Sequence, residues 1–265
     1  MSDKSSDQST GVNISSSVLF HFTSSIDNLL NILKNDFSPH YCPEYGVAED
    51  LDETNAKPPT WARPMISFCD LPLFLIKRHL KFYGSYGIGL EKNWGIKNGV
   101  SPILYFHQQS QILEPFRKLS SMMKETKWET EGKEEVTGNA ILALGARMKP
   151  YEGPAWRNMK YVACVRFYDE REWRFLPSLS WKAQGFLKEN TYLNEERLSQ
   201  ANSKIAENCK LQFTPDDIQY IILRKEDEIL PMIHAIETIK GRFSSDSVKI
   251  LTTTLMTADR IMEDF

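Results

Sequence analysis

Apolar and polar positions recur along this chain with two periods, and the period decides which element each stretch predicts. Val18-Leu19-Phe20-His21-Phe22-Thr23 is a short apolar run ending in polar residues, which predicts a first strand. Ser24 or Ser25 stands where a helix cap belongs, and Ile26, Leu29, Leu30 and Leu33 follow at the spacing of one buried face. Residues 38–64 lose this order. Prolines and the acidic run Glu49-Asp50-Leu51-Asp52-Glu53 predict a long loop there, a length often tied to function. Pro64 to Asp70 predicts a second strand, and a helix should run from Leu71 to about Phe82. Tyr83 to Leu90 contains Gly84, Gly87 and Gly89, which predicts a strand that something approaches closely.

Beyond it, Glu91 to Gly99 suggests a short helix and turn, and Pro102 to Phe106 a strand. From His107 the spacing turns helical, with Ile112, Phe116, Leu119 and Met123 on one face and a second helix around Ile141 to Met148. This predicts a helical insertion over about 107–160 between strands of a sheet. Val162 to Leu176 returns to strand, and Trp181 to Leu198 looks like a loop with one helical turn. Thr214-Pro215-Asp216-Asp217 resembles a cap with proline at the first helical position. A strand at Ile218–Leu223, a helix at Glu226–Gly241, a strand at Val248–Thr252 and a closing turn or helix from Ala258 complete the chain. Short strands interleaved with scattered helices make the fold class α+β. The Ser-, Asp- and Asn-rich residues 1–17 predict a disordered leader, leaving one domain over 18–265.

Composition narrows the function classes. At 265 residues, 41% hydrophobic and 25% charged, the chain is an ordinary globular sequence with room for a large core. A net charge of −3 supplies no global basic field for nucleic acid. Cys42, Cys69, Cys164 and Cys209 form no CxxC pair, which argues against a zinc ribbon or disulfide scaffold and fits a reducing cytoplasm. No run reaches membrane-spanning length. The five histidines include no close pair, so no metal site is expected. P-loop, HExxH and GxSxG motifs are absent, and the GxG within Tyr86-Gly87-Ile88-Gly89 lacks a third glycine.

The densest chemistry lies in Tyr168-Asp169-Glu170-Arg171-Glu172-Trp173-Arg174-Phe175. Read as a strand, it puts Glu170, Glu172 and Arg174 on one face and Arg171, Trp173 and Phe175 on the other. Such a face belongs either to a solvated edge strand whose charges discourage aggregation or to a ligand site. A carboxylate accepting a sugar hydroxyl can stabilise the oxocarbenium ion of a breaking glycosidic bond, and a second can orient the nucleophile. Arg174 could hold Glu172 ionised or bind phosphate. His21, closing the first strand, suits either a core histidine or a ribose contact. Tyr83 and Tyr86 suit either core packing or the stacking of a flat ring.

Several of these segments together resemble the AbiGi abortive-infection family. They are Leu19 to Thr23 with the helix carrying Leu29-Leu30 and Ile32-Leu33, Ile66 to Pro72, Tyr83 to Leu90 with Trp94, and Glu170 to Arg174. The resemblance runs from Val18 to about Ile239 and implies a bacterial phage-resistance or antitoxin protein. The same order more distantly resembles divergent ADP-ribosyltransferases of the DarT kind. That second resemblance implies split mixed and antiparallel sheets and NAD as substrate. His21 would hold the NAD ribose, with Thr23 at the adjacent amide or ribose. Tyr83 or Tyr86 would stack on nicotinamide. Glu172, or else Glu170, would catalyse, supported by Arg174. No target-recognition loop is matched, so the acceptor, a protein or a nucleic acid, stays open. Two activities follow as expectations: an enzyme that cleaves NAD and transfers ADP-ribose, or a non-enzymatic antitoxin or sensor that binds a cognate toxin or other partner.

Overall fold

The computed structural model describes residues 14–47, 57–125, 140–157, 159–177 and 185–264. Most of the expected leader, residues 1–13, lies outside them. Ser15 and Ser16 are held in place, since the Ser15 hydroxyl and the Ser16 N–H both donate to the Asp70 carboxylate at 2.8 Å.

The main sheet grows from β1 (Val18–Thr23). Ser25 then accepts the Asn28 N–H and caps α1 (Ile26–Asn35), which buries Leu29 and Leu33 as the spacing required. Within the proline-rich stretch read as a loop, His40–Glu44 forms β2, paired with the first half of β3 (Trp61–Cys69). A 3-10 turn and α2 (Lys77–Tyr83) lead into β4 (Tyr86–Glu91), antiparallel to β1 along its whole length. Here the glycines find their cause. A Cβ on Gly89 would come within 2.8 Å of the Phe20 ring, so what approaches β4 closely is β1 itself. After α3 (Lys92–Lys97), the strand expected at 102–106 divides into β5 (Ser101–Pro102) and β6 (Leu104–Phe106), which join different sheets.

The stretch expected to be a helical insertion holds α4 (Leu113–Glu125) and α5 (residues 140–145) but also carries strands. They are β7 (Met148–Pro150), parallel to β6, and β8 (Glu152–Arg157), which forms a hairpin with β9 (Lys160–Arg166). The acidic stretch is not one strand. Phe167–Glu170 is a 3-10 turn, Arg171 takes left-handed angles (φ 46°), and only Glu172–Phe175 is β10. Neither is β10 an edge, because it lies between β3 and β5. After β11 (Leu187–Lys188) come two helices, α6 (Glu189–Tyr192) and α7 (Glu195–Asn208). Then β12 (Ile218–Leu223) precedes α8 (Ile229–Lys240). The stretch expected as a strand at 248–252 is helical: α9 (Ser245–Thr252) is capped by Ser244 and buries Val248 and Leu251 three apart. The chain closes with β13 (Leu255–Thr257) and α10 (Ala258–Asp264).

The main sheet runs in the order β13-β12-β4-β1-β3-β10-β5, with β2 and β11 on the far half of β3. Only β12 and β13 within it are parallel, so the architecture is α+β with mixed pairing. One core, containing Leu19, Phe37, Phe68, Ile88, Trp94 and Ile236, covers the face that carries α1 and α8. A second, with Phe20, Cys69, Leu80 and Ile261, covers the other. The feature that makes a site is the parting of β1 from β3. They share one register position, Phe20 opposite Cys69, after which β3 pairs with β2 from Met65 onward.

Candidate functional site

Where β1 and β3 part, a cleft of about 640 Å³ opens. Its walls come from β1, β2, β3, α2, β7 and β8, and it contains His21, Tyr83, Glu170 and Glu172 of the residues singled out by sequence. Its size is within the roughly 300–1,000 Å³ of small-molecule sites.

His21 spans the parting. Its Nδ1 lies 2.8 Å from the Ser67 carbonyl oxygen. A carbonyl only accepts, so Nδ1 carries the proton and Nε2 is left as an acceptor. Burial lowers the His21 pKa despite that bond, so the ring is neutral at physiological pH. It rests edge-on against Phe37 and Phe68.

Glu172 is on the opposite face of the sheet, in register with Cys69, while Trp173 is opposite Phe68 on the face of His21. The expectation that Glu172 and Arg174 share a face is therefore met, but both point inward. Four donors meet the Glu172 carboxylate: Ser67 Oγ at 2.8 Å, Arg174 Nε at 2.6 Å and Nη2 at 3.0 Å, and Lys149 Nζ at 2.9 Å. A carboxylate offers about four acceptor positions, so this one is full. Burial would raise its pKa, but the Arg174 guanidinium, then Lys149, hold it well below the usual carboxylate range. Arg174 is wholly buried behind it and is outside the cleft lining. Its Nη1 donates to the Ala146 carbonyl, just past α5, and its Nη2 to Glu44 at 2.6 Å.

Glu170 approaches from the 3-10 turn. Its Oε1 takes the Tyr83 hydroxyl and Arg157 Nη2, each at 2.5 Å, and its Oε2 takes Lys149 Nζ at 2.9 Å. Among the described residues, one acceptor position on Oε2 is left open. Lys149 thus touches three carboxylates, including Glu44 at 3.4 Å. Burial would lower its pKa, yet Glu170, Glu172 and Glu44 raise it well above the ordinary lysine value. The sequence pattern missed Lys149 and Glu44. Neither belongs to a motif, and each meets the site through contacts distant in sequence, Lys149 with Glu170 and Glu172 and Glu44 with Arg174.

Three of the residues singled out by sequence are elsewhere. Tyr86 is packed in the α1–α8 core, and its hydroxyl donates to Glu228 at 2.8 Å, so it cannot sandwich a ring with Tyr83. Thr23 is buried and accepts the Asn28 side-chain amide at 3.0 Å. Arg174, enclosed by Glu172 and Glu44, is not free to bind phosphate. Among the described residues, no group of three or more His, Cys, Asp or Glu side chains could hold a metal ion, and no helix is long and apolar enough to cross a membrane.

Residues 35–224 match the family model described as "Putative abortive phage resistance protein AbiGi, antitoxin". A curated protein of Lactococcus lactis subsp. cremoris, named "Abortive phage resistance protein AbiGi", is 28% identical over 253 residues, which cover 86% of this chain and 99% of that protein. No solved structure matches.

Proposed function

The chain belongs to the AbiGi family of abortive phage resistance proteins, and from that premise we propose that it serves as the antitoxin of an abortive-infection pair, binding a cognate toxin and holding it inactive. The family description supplies the role. The observation that carries the non-enzymatic reading is the saturation of Glu172, whose four acceptor positions are all filled from within the protein. A carboxylate in that state organises its neighbourhood and has no position left for a substrate hydroxyl. Co-expression is the test. The chain alone should leave bacterial growth unchanged, and together with the product of the adjacent gene it should relieve that product's toxicity and co-purify with it. Growth arrest by this chain alone would reverse the assignment.

A second reading has an observation of its own: the cleft gathers His21, Tyr83, Glu170 and Glu172 around the parting of β1 and β3. On this reading the protein cleaves NAD and transfers ADP-ribose to a protein or nucleic acid. Glu170, with its open acceptor position, is the better placed of the two carboxylates for a ribose hydroxyl. Against it stands the pyrophosphate, because Lys149 and Arg157 are already engaged by carboxylates. Release of nicotinamide from NAD, abolished by Glu170→Gln, would establish this reading over the first.

A further inference from the structure

Two residues that line the cleft carry buried polar atoms without hydrogen-bond partners among the described residues. His79, on α2, is 5% exposed, and neither ring nitrogen makes a hydrogen bond, although the Glu170 backbone lies close enough to favour a proton there. Its ring packs at a tilt against Phe22 and Tyr83, with centroids 5.8 and 5.5 Å away. Trp156, on β8, has a buried Nε1–H with no acceptor. Both residues line the cleft. A buried donor left unsatisfied costs stability, and a native protein that carries two such side chains along one cavity has a reason to do so.

The charges say what kind of ligand would satisfy them. Glu44, Glu170 and Glu172 face Lys149, Arg157 and Arg174, three carboxylates against three cations, each already in contact. His21, His40 and His79 are kept neutral by burial. Among the described residues the cleft therefore offers no spare cation, and a phosphate would have to displace a carboxylate. An uncharged ligand has no such cost. It needs an acceptor for Trp156, a donor–acceptor edge for neutral His79, apolar surface for Phe22 and Phe82, and a hydroxyl for the open position on Glu170. A simple sugar lacks the apolar face, and an aromatic hydrocarbon lacks the hydroxyl.

We propose that the end of the cleft framed by His79, Tyr83, Trp156 and Glu170 binds an uncharged nucleoside, the base edge meeting Trp156 and His79 and a ribose hydroxyl donating to Glu170. This site rests on the cleft alone and stands whether or not the protein neutralises a toxin. Titration calorimetry of the full chain with adenosine, guanosine, cytidine and uridine at millimolar concentration tests it. At least one should bind saturably, and its 5′-monophosphate should bind more weakly. Trp156→Phe, which keeps the ring and removes the donor, should weaken binding roughly tenfold. Glu170→Gln should weaken it as well, with thermal melts confirming that both variants fold. Binding of none of the four nucleosides overturns the proposal. So does a monophosphate that binds more tightly than its nucleoside, or an affinity unchanged in both variants. Binding without nicotinamide release from NAD separates this site from the transferase reading.

Discussion

Arg174 makes the case at the scale of one residue. It is wholly buried, and its guanidinium holds Glu172, Glu44 and the Ala146 carbonyl at once. Such a group is costly to desolvate, and its loss is costlier still because, among the described residues, two carboxylates then keep only Lys149 as a salt-bridge partner. Arg174→Met should destabilise the protein by about 3–5 kcal/mol in chemical denaturation, the range for breaking a buried pair. Glu172→Gln should cost less, since the amide retains an acceptor for Ser67. Combining Arg174→Met with Glu172→Met should recover part of the loss, because apolar pairs often replace buried ion pairs without penalty. An additive double variant would show that the two residues are energetically independent, contrary to their 2.6 Å contact. The pair was legible from the sequence, since two residues two apart on a strand share a face. Their partners were not: Glu44 is 130 positions from Arg174, and no local pattern announces a contact of that separation.

At the scale of elements, the strands and helices with a single dominant period were legible: β1, α1, β4, β12 and α8 all fall where the spacing put them. Where two signals competed, the reading failed. Val248, Ile250 and Thr252 favour a strand by propensity, but Ser244 accepts the Ser247 N–H at 3.1 Å and starts a helix instead. Ser244→Ala should therefore cost about 1 kcal/mol, with faster amide exchange in the first turn of α9. The glycines of β4 were legible as sites of close approach, but no local pattern could name β1 as the element that approaches. Gly84, which ends α2 just before β4, is stricter still, with φ at 122° and the Thr23 carbonyl oxygen 2.2 Å from where a Cβ would stand. Gly84→Ala should displace the join between α2 and β4, carrying Tyr83 with it. A loss of more than about 1 kcal/mol of stability, with increased solvent access to the Tyr83 ring, is the expected result. The cleft was only half legible for the same reason: its residues were singled out one strand at a time, whereas the cavity exists because β3 changes neighbours halfway along.

For the whole molecule, this arrangement predicts how stability depends on pH. His21, His40 and His79 all have pKa values lowered by burial, so the folded state resists protonating them. The unfolded chain binds those protons at the ordinary histidine value of 6.5, so stability falls as pH drops below that point. Glu172 and Glu44 act in a lower window. Burial opposes their ionisation, but Arg174 and Lys149 outweigh it and leave both folded-state values below the ordinary 4.5. Their contribution is complete above about pH 4.5 and is lost as pH falls toward the folded-state values. Denaturation midpoints should therefore be flat near neutrality, decline first below pH 6.5, and decline more steeply below pH 4.5. The two steps separate by mutation. Glu172→Gln should lessen the acidic decline and leave the first one intact, whereas His79→Gln should lessen the first, to which His21 and His40 still contribute, and leave the acidic one. Because His21 and Glu172 both line the cleft that opens where β1 and β3 part, both declines should report the loss of the same cleft, and a nucleoside bound there should shift the midpoints at neutral pH.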